Sequence, residues 1–158
     1  MDCGSLAAMT DMSEYHLAQL NIAKMKFPLD DPRMQAFVDQ LDAVNALADN
    51  APGFVWRLQT DEGDATAIDF FGAETLVNMS VWRDVESLRD YAFRSDHKKV
   101  LGRRQEWFER MEQAYSVLWW IPAGSIPSLE EASERLENLR QTGPNPQAFT
   151  FRQLFEPV

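Results

Sequence analysis

The side chains with the clearest chemical potential lie in residues 96–113, with the sequence DHKKVLGRRQEWFERMEQ. Apolar residues recur there at helical spacing, about 100° per residue, and His97 and Arg104 fall on the same stripe. A buried cation is costly unless a partner neutralises it. The helix therefore either closes a buried ion pair or presents both side chains to a cavity. In a cavity, His97 could act as a general base and Arg104 could stabilise an anion or an enolate.

Each of these two residues also has a purely structural interpretation. A lone histidine on an apolar stripe is more often a hydrogen-bonded core residue than a ligand or a base. Arg104 could instead form a buried ion pair with a carboxylate such as Asp84 or Asp90. The pattern leaves both interpretations open.

A second group of candidates lies on the predicted strands. Asn78 and Trp82 are four residues apart on one strand and therefore point to the same side. Asn21, on the first strand, faces the same way if Leu20 and Ile22 face the helices. Asparagines beside tryptophans give the mixed lining that is typical of small-molecule sites. The alternative is that Asn21 and Asn78 pair with each other or with backbone groups.

The remaining tryptophans are candidates for the wall of a ligand site. They are Trp56, Trp107, Trp119 and Trp120. Because neighbouring residues of a strand point to opposite faces, only one of Trp119 and Trp120 can reach a given cavity.

Composition excludes several classes of function. The formal net charge of −10 argues against nucleic acid or an anionic membrane as a partner, and no apolar run is long enough to span a membrane. The single cysteine, Cys3, lies in residues 1–13, a predicted disordered lead-in without a secretion signal. We therefore expect a cytoplasmic protein. Two histidines without ligand spacing predict no metal site, and no common cofactor motif is present.

The periodicities predict alternating strands and helices. Strands are predicted at 15–23, 54–60, 75–82, 115–121 and 148–155. Helices are predicted from Pro32 to the break at 51–53, from Asp84 or Ser87, over 96–113, and from the capping box at Ser128 to Gly143. This order predicts an α+β fold, in which a ferredoxin-like βαββαβ core carries a C-terminal helix and strand, within a single domain at 14–158.

The two faces of the predicted sheet suggest a second copy of the chain. Val77, Met79 and Val81 suit packing under helices, whereas the other face would expose Trp56, Trp82 and a tryptophan of the fourth strand. So large an apolar patch is rare on a monomer, and a twofold dimer, sheet against sheet, would cover it. The alternative is that the 61–74 connection or the C-terminal helix covers that face within one chain.

A set of residues spanning the third strand and the helices after it matches a known signature. Its members are Val81, Trp82, Leu88, Tyr91, Ser95, Asp96 and His97. They resemble the strand–helix–helix signature of the dimeric α/β-barrel superfamily, which includes the antibiotic-biosynthesis monooxygenases and the haem-degrading monooxygenases. From about Tyr15 to Phe155, including the runs HKKVLGRRQEWF, LWWIPAG and GPNPQAFTF, the chain is similar to one uncharacterised bacterial branch.

The resemblance implies a homodimer, with a cavity between sheet and helices in each half of a barrel. Asn78, Trp82 and either Arg104 or Arg103 are similar to residues of the quinone-forming members. Asn21, Trp82 and His97 are similar in type and order to residues of the haem-degrading members, although the gap from Trp82 to His97 is longer here.

These inferences lead to one expected function and two alternatives. We expect a monooxygenase that needs no cofactor and acts on a small aromatic or polyketide-like molecule. The alternatives are a non-catalytic dimer that binds a small ligand or haem, and a structural or interaction dimer without a pocket.

Overall fold

The protein is described by a computed structural model that covers residues 14–60, 66, 68, 70–72, 74–94 and 104–157, except the side chains of Arg94 and Arg104. The strands are β1 (Tyr15–Lys24), β2 (Phe54–Arg57), β3 (Thr75–Trp82) and β4 (Ser116–Pro122). The helices are α1 (Gln35–Asp49), α2 (Val85–Arg94), α3 (Arg104–Trp107) and α4 (Leu129–Thr142). The predicted lead-in, 1–13, lies outside the described residues.

The four strands form one antiparallel sheet in the order β2-β3-β1-β4. Helix α1 connects β1 to β2 and helix α2 connects β3 to β4, so each helix links two strands that are not neighbours. Such crossovers are right-handed in nearly all proteins, which places both helices on the same face of the sheet. Accordingly, Ala48 of α1 and Leu88 of α2 lie in one apolar cluster. The predicted α+β class and the βαββαβ order are confirmed.

The helix starts follow from local capping. The Asp84 carboxylate accepts a hydrogen bond from the backbone N–H of Ser87 (2.8 Å) before the first full turn of α2. The Ser128 hydroxyl accepts one from the backbone N–H of Glu131 (3.1 Å), as the capping box predicts. Helix α4 ends at Gly143, whose φ of +82° favours glycine. Among the described helices, none is long and apolar enough to cross a membrane.

One face of the sheet is apolar and is covered by α4; we call it the α4 face. Its buried residues are Ala18, Leu20, Ile22, Val77, Met79, Val81, Val117, Trp119 and Ile121, and α4 contributes Ala132, Leu136 and Leu139. Ile68 and Phe71, from the connection between β2 and β3, pack at its margin. The C-terminal helix therefore covers the face of Val77, Met79 and Val81, whereas the alternative from the sequence placed that helix or the 61–74 connection over the face of Trp82.

The opposite face carries the odd-numbered residues of β1 and lies under α1 and α2; we call it the α1–α2 face. Cross-strand partners share a face, so Trp82 joins Leu17 there, whereas Trp56, paired with Val81, lies on the α4 face. The tryptophans predicted to share one exposed face thus lie on two covered faces. The argument for a second copy from an uncovered tryptophan face is therefore wrong, and a dimeric barrel remains a prediction.

The second strand, predicted at 54–60, ends at Arg57, and two other predicted elements are also wrong in extent. The helix predicted over 96–113 ends at Trp107, because Phe108 bridges to Met25 and the backbone N–H of Glu109 donates to the Lys24 carbonyl (2.8 Å). The strand predicted at 148–155 is reduced to isolated bridges, of which the one between Phe149 and Leu118 joins this segment to the sheet. In both places the chain satisfies its backbone groups against an existing strand and then turns away.

Candidate functional site

A strip of neutral polar side chains crosses the middle of the α1–α2 face. Asn21 of β1 lies opposite Asn78 of β3 and opposite Ser116 of β4. One pair along, Gln19 lies opposite Ser80. Because cross-strand partners point to one side of the sheet, these five side chains form a continuous group, which we call the polar strip.

Apolar clusters flank the polar strip at both ends. One contains Leu17, Ala48, Trp82, Leu88, Leu118 and Phe149. The other contains Met25, Met34, Trp107 and Phe108, with Ala23, Phe37 and Leu76 packed against them. Helix α1 supplies Ala48 to the first cluster and Phe37 to the second, so it runs along the strip. Polar groups held between apolar walls are the usual lining of a small-molecule site.

A hydrogen-bonded network organises the strip. The Gln19 amide nitrogen, Nε2, donates to Asn78 Oδ1 (2.5 Å) and to Ser80 Oγ (2.8 Å). The indole N–H of Trp82 also donates to Ser80 Oγ (2.8 Å). Gln19 is 8% exposed and Ser80 is 6% exposed, whereas Asn78 is exposed and Asn21 is half-buried. The network is therefore closed at its buried end and open at the two asparagines.

Asn21 and Asn78 were predicted as site residues, whereas Gln19 and Ser80 were placed on the same face of the sheet without a role in the site. The signal was the period of two along each strand, which places Gln19 beside Asn21 and Ser80 beside Asn78. The partner of Asn78 is Gln19, and the Asn21 side chain has no hydrogen bond among the described residues.

Trp82 supports the strip from within the core. It is 0% exposed, stacks on Tyr91 with ring centroids 5.1 Å apart, and meets Phe54 edge-on at 5.4 Å. Its indole N–H donates to the Ser80 hydroxyl, so Trp82 supports the strip through Ser80. Because the side chain is fully buried, it contacts no open space. Burial raises the pKa of Tyr91 to about 12, and its hydroxyl donates to the Val44 carbonyl (3.2 Å). The Tyr91 phenol is therefore protonated at neutral pH.

The other predicted tryptophans divide between the two faces. Trp107 is buried at one end of the strip, and Trp120 is half-buried on the α1–α2 face, where its N–H donates to the Phe155 carbonyl (2.7 Å). Trp119 is fully buried on the α4 face, and Trp56 packs against the same cluster. The structure thus brings Trp82, Trp107 and Trp120 to the side of the asparagines, but it does not bring Trp56 or Trp119 there.

The structure does not describe where the side chains of the predicted base, His97, and the predicted anion-binding residue, Arg104, lie relative to the strip. His97 lies outside the described residues, as does Arg103, and Arg104 begins α3 with its side chain outside them. The other histidine, His16, lies opposite Ile121 on the α4 face. Its Nδ1 atom is buried and has no hydrogen-bond partner among the described residues.

Two clefts among the described residues are lined by no residue of the polar strip. A cleft of about 530 Å³ lies between Lys26, Phe108, Met111 and Tyr115. A smaller one, of about 250 Å³, lies at the start of α2 beside Asp84. Asn21, Asn78 and Trp82 line neither cleft. Within the described part of the chain, no three His, Cys, Asp or Glu side chains are grouped to hold a metal ion.

Solved structures of similar shape include the following three, each from a different microorganism. A conserved protein from Methanosarcina mazei is 15% identical, with a TM-score of 0.49 over 72% of this chain and 97% of that one. A protein of unknown function from Nitrosomonas europaea is 12% identical, with a TM-score of 0.46 over 73% and 98%. SnoaB, a cofactor-independent oxygenase from Streptomyces nogalater, is 13% identical, with a TM-score of 0.42 over 72% and 96%.

The amino-acid sequence itself gives a firmer relationship. No curated protein matches the chain significantly. The family described as a domain of unknown function, DUF3291, matches residues 16–158. This match runs from the second residue of β1 to residue 158 and includes every residue of the polar strip. The chain therefore belongs to the DUF3291 family.

Proposed function

We propose that this protein is a cofactor-independent monooxygenase that acts on a small aromatic or polyketide-like molecule held against the polar strip. The observation that carries the proposal is the strip itself, in which amide and hydroxyl groups lie between two aromatic-rich clusters under α1. Asn78, Trp82 and either Arg104 or Arg103 also resemble residues of the quinone-forming members of the dimeric α/β-barrel superfamily. That resemblance supports membership of the superfamily.

The proposed reaction needs no external reductant. A ring methylene beside a phenol or ketone loses a proton, and the resulting carbanion or enolate supplies electrons to O2. One oxygen atom becomes a new ring carbonyl and the other leaves as water, so that CH2 and O2 become C=O and H2O. In this scheme His97 takes the proton, Arg104 stabilises the enolate charge, and the Asn78 amide binds a ring oxygen.

One observation favours a second function, the binding of a small ligand without catalysis. Every side chain of the polar strip is a neutral amide or hydroxyl, and Tyr91, with a pKa of about 12, is no base at neutral pH. Catalysis therefore depends on His97, whereas binding needs only the strip. Amides and hydroxyls are also not ligands of haem iron, so we derive no step through haem.

The homodimer is part of the proposal and is supported by the resemblance and by an edge strand of the sheet that exposes an apolar side chain. Strand β2 forms one edge, and Val55 in it is 41% exposed. Edge strands of this kind can pair with another chain. Sedimentation-equilibrium measurements should give twice the monomer mass, and a monomer at micromolar concentration would refute this part.

The two functions are separated by replacing His97. We expect His97→Ala to lower oxygen uptake with a panel of phenols and hydroxylated anthrones by about 100-fold or more, because a positioned general base contributes that much. The matched control is His16→Ala, which removes the other histidine, on the α4 face. Oxygen uptake that His97→Ala leaves unchanged would refute the assigned base. Substrate binding without any oxygen uptake by the unmodified protein would favour the binding function.

A further inference from the structure

We infer that Gln19 is a positioning residue that fixes the Asn78 amide with its N–H groups toward the ligand, so that the site selects a molecule with a hydrogen-bond-accepting oxygen. This inference rests on the proposed binding at the polar strip. It names the class of ligand group that the strip recognises, for example a ring carbonyl or a phenolate oxygen.

The Gln19 amide nitrogen can donate two hydrogen bonds, and it donates both of them within the strip. This nitrogen carries two hydrogens, and the two acceptors within reach are Asn78 Oδ1 at 2.5 Å and Ser80 Oγ at 2.8 Å. Both N–H groups of this buried amide are therefore used. The Asn78 oxygen is turned toward Gln19, and the nitrogen of the same amide must point away from it.

Burial determines which groups of the network donate hydrogen bonds and which accept them. If the Gln19 amide were turned over, its oxygen would face Asn78 and Ser80, and its two N–H groups would lose both acceptors. Gln19 is 8% exposed, and the loss of a partner by a buried donor is costly. Trp82 N–H already requires Ser80 Oγ to act as an acceptor. The arrangement in which Gln19 donates twice leaves the fewest buried donors unpaired.

The groups of the strip that remain available to a ligand are hydrogen-bond donors. The Asn78 side chain is exposed, makes no hydrogen bond among the described residues beyond the one from Gln19, and keeps two N–H donors. Ser80 Oγ accepts from Gln19 and Trp82, so the hydroxyl has only its own proton left to offer. The strip thus presents donors. A carbonyl or phenolate oxygen satisfies them, whereas an unsubstituted ring leaves them unpaired.

The direction of the network can be measured on the unmodified protein without any ligand. In 15N–1H spectra, we expect the side-chain amide protons of Gln19 to exchange with water at least about tenfold more slowly than those of Asn78. Slow exchange at Asn78 with fast exchange at Gln19 would mean that the network runs the other way, which would overturn the inference. This result does not depend on the folding of any variant.

The selectivity is tested with two probes of matched shape, 1-tetralone, which carries a ring carbonyl, and tetralin, which lacks it. We expect the unmodified protein to bind 1-tetralone about tenfold more tightly than tetralin at every pH from 5 to 8, as one hydrogen bond allows. In Gln19→Glu, a carboxylate can only accept, so Asn78 must turn its nitrogen inward and present its oxygen. The preference for 1-tetralone should then vanish at pH 8 and return as the pH falls and the acid regains its proton.

The control is Gln153→Glu, at an exposed position in the C-terminal segment, which should leave the preference unchanged. An undiminished preference in Gln19→Glu at pH 8, or no preference in the unmodified protein, would overturn the inference. Neither readout involves oxygen uptake. Failure of the oxygenase assay therefore leaves this inference standing, and failure of these two tests leaves the oxygenase assay to be judged separately.

Discussion

The two faces of the sheet are built from the same strands but on different principles. On the α4 face, one continuous apolar cluster includes residues from Ala18 to Ala148, and His16 lies on the same face. On the α1–α2 face, two apolar clusters are separated by the polar strip. An apolar layer suffices for stability, and buried polar groups cost free energy unless they are bonded. We therefore expect the α4 face to contribute most of the stability, and the polar strip to contribute less.

The largest effect is expected on the α4 face. Trp119→Ala should lower the free energy of unfolding by about 3–5 kcal/mol, because a fully buried indole is replaced by a cavity. It also removes the hydrogen bond from the indole N–H to the Glu131 carboxylate (2.7 Å). Urea denaturation measures the change, and Trp119→Phe, which retains a ring, should cost less. If the free energy of unfolding fell by less than about 1 kcal/mol, the prediction that this face supplies most of the stability would be contradicted.

A smaller loss is expected inside the polar strip. Ser80→Ala leaves the N–H groups of Gln19 and Trp82 without their shared acceptor, which should cost about 1–3 kcal/mol. The matched control is Ser116→Ala in the same strip, since no side-chain hydrogen bond involves Ser116 among the described residues. Equal losses in the two variants, measured by the same denaturation, would show that the network does not stabilise the strip.

The pH dependence of stability distinguishes the α1–α2 face further. Burial raises the pKa of Tyr91 from 10.0 to about 12 in the folded protein. The unfolded chain therefore loses this proton first, so the contribution is complete below pH 10 and is lost as the pH rises from about 10 to 12. Tyr91→Phe should flatten this part of the curve of unfolding free energy against pH. If both proteins lose stability in parallel over that interval, another group is responsible.

The smallest effect is expected at His16. Its Nδ1 atom is buried without a hydrogen-bond partner among the described residues of the α4 face. His16→Leu removes an unpaired polar atom from an apolar setting, and the thermal midpoint should stay level or rise by up to a few degrees. A marked fall would show that the imidazole contributes a favourable contact and that the α4 face is less uniformly apolar than described.

The core elements of the fold could be predicted because each depends on the spacing of apolar residues within its own short segment. The third strand was predicted as 75–82 and forms as Thr75–Trp82, and the Ser128 cap starts α4 as predicted. Which helix packs on which face of the sheet could not be predicted. Both faces of β4 are apolar, so the sequence of β4 fits either helix equally well. The end of α3 at Trp107 depends on pairing with β1, which is distant in sequence.

The candidate site was predictable only in part. The alternation along β1 and β3 placed Asn21, Asn78 and Trp82 on one side, as the register shows. The role of Gln19 depends on hydrogen bonds across 59 and 61 residues of sequence, which no local pattern reveals. The burial of Trp82 likewise follows from its contacts with Tyr91 and Phe54.

The bridge between Phe149 and Leu118 has a consequence for how copies of this chain could assemble. Two backbone hydrogen bonds, of 2.8 and 2.9 Å, tie the C-terminal segment to the outer side of β4. Blocking one side of a sheet while the other stays accessible prevents strand-to-strand growth from continuing indefinitely. Association through β2 would stop after one partner, in a closed symmetric pair, and would not propagate into a fibre.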